Sequence, residues 1–350
     1  MKYVVNGNFL CRNLTGIERF SIEILNHLEN LVPEDFISIY IPQNAKFIPN
    51  YKKIKIIHSE KSLSSYLKWT LLDFSNYVRK NHLVGINFSN EALLFASGYL
   101  FIHDIYCKLY PQDFKSPKDK KVRAISCFNY YFAAKKAKKL FTVSEFSKNQ
   151  IAKTYKINPE KITVIPNGWD HFKNIQADES IFNEHTELKN SFYFTLGSLS
   201  TRKNLKWIAD YAAANPNDLF AISGKNLESL IPQELENIKN LKNVIFLDYV
   251  SDGQVKALMA KCKAFIFPSY YEGFGIPPLE ALSVGAPVVI SNAASLPEIF
   301  GKTAHYINPD DTNVDLTELL KEPVESPEKL LEHYTYENAA KTFFEYLKGV

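Results

Sequence analysis

The chain has 350 residues, 46% of them hydrophobic and 23% charged, with 41 Lys and Arg against 38 Asp and Glu. That length suits two domains of about 170 residues each rather than one, and the composition excludes a disordered chain. No run of about 20 apolar residues is present, which excludes a membrane-spanning helix, and the charge is divided unevenly, basic over residues 1–170 and acidic over 171–350.

The opening stretch MKYVVNGNFLCRNLTG has too short an apolar run for a signal peptide, and Asn6, Gly7 and Asn8 interrupt it. The four cysteines are scattered, with no C-x-x-C pair and no metal-ligand spacing. Reduced thiols in a cytoplasmic protein are therefore expected. Short apolar runs then alternate with helical periodicity, which predicts parallel sheets covered by helices. The first half reads as strands at 3–5, 37–41, 54–57, 83–88, 99–102, 140–143 and 162–165, with helices at 17–31, 64–78, 122–138 and 145–155. After the polar, weakly periodic segment IPNGWDHFKNIQADESIFNEHTELKN, which reads as a linker, the pattern restarts. Strands are expected at 192–196, 220–223, 244–247, 264–267 and 288–291, and helices at 205–214, 252–260 and 278–283. The tail from residue 334 looks helical. The division predicted is a doubly wound α/β domain over 1–170, a second over 171–333, and a terminal helix over 334–350. Ligands of such domains sit beyond the carboxyl ends of the strands.

Most of the chemistry lies between Ala264 and Ser291, in AFIFPSYYEGFGIPPLEALSVGAPVVIS. Pro277 and Pro278 suit the first turn of a helix, and Gly285 and Pro287 suit its end. Gly273 and Gly275 let backbone amides approach a ligand. Glu272 falls in the loop and Glu280 is expected in the first helical turn. Both could accept hydrogen bonds from neutral hydroxyls, each worth roughly 1.5–3 kcal/mol. A glutamate that merely complements the helix dipole, worth about 0.3–1 kcal/mol, explains Glu280 equally well from spacing alone. A second station is LGSLSTRKNL, where Ser198, Arg202 and Lys203 lie between a strand and a helix. Two cations there suit a diphosphate and would stabilise charge building on it as it leaves. A third is NLTGIER, with Gly16 ahead of an amphipathic helix, and a fourth is the strand-end pair His103-Asp104.

The stretch YEGFGIPPLEALSVGAPVV closely resembles the Glu-x7-Glu signature of retaining glycosyltransferases of family 4. The resemblance extends to SNAASLPE downstream, IPNGWD and LFTVSEFSK upstream, and TGIERF near the start, in matching order. It implies the GT-B fold, two Rossmann-like domains facing a central cleft with the terminal helix crossing back to the first. It implies transfer of a sugar from a nucleotide-diphosphate donor with retention. On this resemblance Glu280 holds the ribose hydroxyls, and Glu272 with Gly273, Phe274, Gly275 and Ile276 holds the donor sugar. Arg202 and Lys203 hold the diphosphate in place of a metal, Gly16 approaches it, and Tyr249 and Val250 contact the base through their backbone. His103 lies near the sugar, as a hydrogen-bond donor or in proton transfer. Asp104 orients the imidazole or shapes the acceptor side. Where the family often has two glycines, this chain has Thr15-Gly16, and its Arg and Lys are adjacent rather than spaced.

Lys115, Lys118, Lys120, Lys121 and Arg123, then Lys135, Lys136, Lys138 and Lys139, interleave with Phe114, Phe128, Tyr130, Tyr131 and Phe132. That surface suits an anionic membrane carrying a lipid-linked saccharide acceptor, and a solvated helix face explains it as simply. No nucleic-acid motif accompanies it, and no G-x-G-x-x-G follows a strand, which disfavours a nicotinamide dehydrogenase. The expected protein is a metal-independent, cofactor-free glycosyltransferase of cell-surface polysaccharide synthesis. A non-catalytic sugar-nucleotide-binding partner of a glycan assembly complex is the alternative.

Overall fold

Most strands of this chain are short, and the central ones are buried on both faces, a pattern that only a sheet covered on both sides can accommodate. The computed structural model, which describes residues 3–93, 95–96, 98–196, 200–224 and 233–349, contains two such sheets. Two compact units divide the chain, Met1–Gly168 with Tyr334–Val350 and Trp169–His333.

In the first unit seven parallel strands run in the order β3-β2-β1-β4-β5-β6-β7. They are β1 (Tyr3–Asn6), β2 (Ile37–Ile41), β3 (Lys55–His58), β4 (Val84–Asn87), β5 (Gly98–Phe101), β6 (Lys139–Thr142) and β7 (Ile162–Val164). The strand order reverses between β1 and β4. The helix Gly16–Leu31 buries Phe20, Ile24, Leu25 and Leu28. Against it packs the terminal helix Tyr336–Lys348, which buries Ala339, Ala340, Phe343 and Leu347. Phe343 meets the rings of Phe88, Phe101 and Phe141 at 5.6, 5.7 and 5.2 Å, and the Tyr3 hydroxyl donates to the Leu347 carbonyl at 3.1 Å. The tail is thus core to the first unit, though it follows the second in sequence.

The second unit has six parallel strands in the order β10-β9-β8-β11-β12-β13. These are β8 (Tyr193–Leu196), β9 (Phe220–Ser223), β10 (Val244–Leu247), β11 (Ala264–Phe267), β12 (Val288–Ser291) and β13 (His305–Ile307). Its order reverses between β8 and β11.

Four sequence expectations are corrected. The helix expected from Val122 begins at Pro117, capped by Ser116 and Asp119 bonding each other's backbone amides, and ends at Lys136. The helix expected over 64–78 is interrupted by a wide turn at Trp69–Phe74. The strand β13, three residues long and including a histidine, was not expected. The supposed linker is folded into the second unit from Trp169 onward. Its 3-10 helix Asp170–Asn174 is fixed by Lys256, whose ammonium donates to the carbonyls of Phe172 and Ile175 at 2.8 and 2.7 Å. Among the described residues no helix is long and apolar enough to cross a membrane.

Candidate active site

In the second unit the functional side chains gather beyond the β8/β11 reversal. After β8, the short turn Thr201–Lys203 carries Arg202 and Lys203. Asn204, in the left-handed region at φ +56°, ends this turn. Its side chain caps the next helix at Trp207 and donates to the Pro268 and Pro309 carbonyls at 3.1 and 2.8 Å. That ties the β8 loop to the β11 loop. After β11, Glu272 is buried. Arg202 Nη1 lies 3.0 Å from its Oε2, and Lys203 Nζ lies 2.7 Å from its Oε1. Burial pushes the Glu272 carboxyl up, but Arg202 and Lys203 outweigh it and hold the group below its usual range. The residues expected to bind sugar and diphosphate separately therefore form one cluster in the free protein.

The loop is rigid for local reasons. The Ser295 hydroxyl donates to the carbonyls of Glu272 and Phe274 at 2.9 and 3.2 Å. Gly275, at φ +115°, caps the helix Ile276–Ser283. A Cβ on it would stand 2.7 Å from Leu296 Cδ2, and Leu296 is fully buried. Gly275→Ala is therefore expected to destabilise the fold by about 2–5 kcal/mol through backbone strain and overpacking. Thermal unfolding checks this, and an unchanged melting temperature would refute it.

Glu280 is the fifth residue of its helix, past the first turn where it was expected. The dipole explanation weakens accordingly, because that effect fades beyond one turn. The side chain is nearly buried, and its Oε1 lies 2.9 Å from His171 Nε2. Sequence reading missed His171, since a polar segment gives no periodic signal.

Of the base-side residues, Tyr249 is exposed and Val250 buried just beyond β10, and Ser251 caps the following helix as expected. Phe274 and Gly273 are buried in the loop, and Ile276 and Pro277 are half-buried. Ser198 lies outside the described residues.

In the first unit His103 lies just past β5 and is buried. Its Nε2 is 2.7 Å from the Phe88 carbonyl, which can only accept, so Nε2 carries the proton. Burial lowers its pKa and the ring stays neutral at pH 7. The remaining nitrogen, Nδ1, is an acceptor, so the expected hydrogen-bond donor role is corrected. Asp104 does not orient the ring by a hydrogen bond; it accepts from the Tyr106 amide at 2.9 Å. Gly16 is the exposed first residue of its helix rather than part of a loop.

The β1/β4 reversal holds a polar cluster that sequence reading also missed. Glu91 accepts from Asn8 Nδ2 at 2.6 Å, from Thr70 Oγ1 at 2.9 Å, and from Arg12. Arg12 also reaches Glu18 at 3.5 Å and lies 4.0 Å from the Tyr66 ring centroid. The wide turn at Trp69–Phe74 brings Trp69 and Thr70 together onto Asn6. The only sequence signal was polar residues directly after two apolar strands. Both units thus place a cation after their first strand against a carboxylate after their fourth.

Two parallel Rossmann-like sheets, each with charged side chains at its reversal point, define an α/β protein of the GT-B class. The family model for glycosyl transferases group 1 matches residues 176–342, and that for glycosyltransferase family 4 matches residues 99–171. Together they cover more than half of the chain, which belongs to the family 4, group 1 glycosyltransferases and is a hexosyl-transferring enzyme. It is 27% identical over 332 residues to an O-antigen chain mannosyltransferase of Salmonella typhimurium, covering 88% of this chain and 87% of that one. It is 26% identical to O-antigen chain mannosyltransferase B of Escherichia coli, with the same coverage. Among solved structures, sucrose-phosphate synthase from Thermosynechococcus elongatus aligns with a TM-score of 0.73 at 14% identity, covering 100% of this chain and 99% of that one. Anabaena HepE in complex with UDP-glucose aligns with a TM-score of 0.70 at 18% identity, covering both chains fully. At these identities the structures speak for the fold alone.

Proposed function

We infer that the enzyme transfers a sugar from a nucleotide-diphosphate donor, with retention and without a metal, to a saccharide or lipid-linked saccharide acceptor in surface polysaccharide synthesis. The observation that carries this reading is the Arg202, Lys203 and Glu272 cluster at the β8/β11 reversal, where Glu272 lies on the loop that leads into the helix of Glu280. The bond from the anomeric carbon to the diphosphate oxygen breaks, and its electrons go to that oxygen. Arg202 and Lys203 stabilise the charge formed there. The acceptor hydroxyl bonds to the anomeric carbon on the same face, and its proton passes to the leaving phosphate. Glu272 and Glu280 hold hydroxyls of the donor. The full-length relatives are named mannosyltransferases, which makes a mannosyl group the first to test.

A thermal-shift screen with UDP-, GDP- and dTDP-sugars tests this. A true donor at one hundred times its Kd adds about 2.7 kcal/mol of stability. Transfer should persist in chelator. No stabilisation by any nucleotide sugar, or activity abolished by chelator and restored by a divalent ion, overturns the reading.

The acceptor side of the proposal is a peripheral, cytoplasmic contact with anionic membrane through the helix Pro117–Lys136. Its inner face buries Asn129, Tyr130 and Ala133. Elsewhere along it Val122, Phe128 and Tyr131 are between 38% and 50% exposed, and Lys118, Lys120, Lys121, Lys135 and Lys136 are exposed as well. Each lysine near anionic lipid contributes about 1 kcal/mol. The protein is expected to sediment with phosphatidylglycerol vesicles but not with phosphatidylcholine. Charge reversal at Lys118, Lys120 and Lys121 should abolish this, and equal binding by both proteins would refute it.

A further inference from the structure

We propose that His171 is a positioning residue that sets how Glu280 reads the ribose of the donor, and so selects a ribonucleoside over a 2′-deoxyribonucleoside diphosphate. This rests on the reading of Glu280 as the diol-holding carboxylate. A vicinal diol presents two hydroxyl donors, and a carboxylate binds both well only when its plane is aligned with them. The terminal torsion of a glutamate is broad, so the plane must be fixed by a neighbour or ordered at binding. His171 Nε2 fixes it, at 2.9 Å from Oε1. Oε2 has no partner among the described residues, while the Glu280 side chain is only 11% exposed.

His171 is itself held. Its side chain is 3% exposed. It lies on the 3-10 helix Asp170–Asn174, whose Phe172 is buried. Lys256 grips the carbonyls of that helix from the neighbouring helix Asp252–Lys261. One residue before it, Trp169 Nε1 donates to the Leu331 carbonyl at 2.8 Å. The imidazole therefore cannot follow a wandering carboxylate, and the carboxylate is preorganised before ligand arrives. The pairing has little use as a helix cap, because Glu280 lies beyond the first turn.

The test compares binding of UDP and GDP with their 2′-deoxy counterparts by calorimetry, in the full chain. His171→Leu should lower the preference for the ribonucleotide about tenfold, the worth of one well-made hydrogen bond. His171→Gln, which can still donate at similar reach, should restore most of it. Glu280→Ala should lose the preference, and adding His171→Leu to it should cost nothing further. If His171→Leu fails to fold, His171→Asn, whose amide is too short to reach, takes its place with the same expectation. Preference lost in Glu280→Ala but retained in the His171 variants overturns this proposal and leaves the Glu280 reading standing. Preference retained in Glu280→Ala overturns both.

Discussion

Replacing Arg202 and Lys203 together with Ala is expected to lower turnover by about two to three orders of magnitude, the loss seen when preorganised charge facing a leaving group is removed. The structure adds a second consequence. Both cations contact Glu272, which is 7% exposed, and the double variant leaves that carboxylate buried without counter-charge. Breaking a fully buried pair costs about 3–5 kcal/mol. Here Arg202 and Lys203 are 26% and 19% exposed, so solvent screening reduces the cost to on the order of 1–3 kcal/mol. Adding Glu272→Gln should recover the stability but not the turnover. A triple variant that regains near-normal rates would refute the diphosphate role.

The same variant reverses one pH dependence. In the native protein the Glu272 carboxyl lies below its usual range. Its contribution to stability is present above the unfolded value of about 4.3 and is lost as pH falls through the lower folded value. Without the two cations burial, the largest influence, is opposed only by the Ser269 hydrogen bond, and the folded value rises above the unfolded one. The group then stabilises the fold at low pH and loses that contribution as pH rises through its folded value. The stability gap between native protein and double variant should therefore narrow as pH falls from 7 toward 4, read from denaturant melts. A gap independent of pH would refute the coupling.

Much of this fold was legible because a parallel strand buried on both faces is a short apolar run, and runs such as VVIS at β12 and AFIF at β11 announce themselves. The order of those strands was not legible, and neither was the position of the reversal points that gather the site. The helix Ile276–Ser283 was readable because prolines and glycines mark its ends. Its start was misjudged by two residues, since Pro277 and Pro278 permit a start at Ile276. Residues held by backbone carbonyls left no pattern. The segment carrying His171 looked like a linker because its anchor is the Lys256 ammonium rather than an apolar face. The Asn8, Arg12 and Glu91 cluster was hidden for a related reason: its members are 79 or more residues apart in pairing with Glu91. Local periodicity reports burial and says nothing of such polar partners.

Glu280→Ala is expected to weaken donor binding by about 1.5–3 kcal/mol, or roughly 10–150-fold, the worth of a hydrogen bond to a charged group. It also leaves His171 Nε2 without this carboxylate in a side chain that is 3% exposed, at a stability cost of about 1–3 kcal/mol. A purely structural pair predicts the second effect and not the first, so the two readings separate when calorimetry is set beside thermal melting. The diol reading carries a further constraint. Thymidine diphosphate sugars lack the 2′-hydroxyl, so a carboxylate that holds both ribose hydroxyls should favour UDP- or GDP-sugars in the native protein. In Glu280→Ala that advantage should collapse, and the three nucleotides should bind more nearly alike. Equal affinity of native protein and variant for the ribonucleotide would remove Glu280 from the donor site, and would return it to the role of a partner for His171 alone.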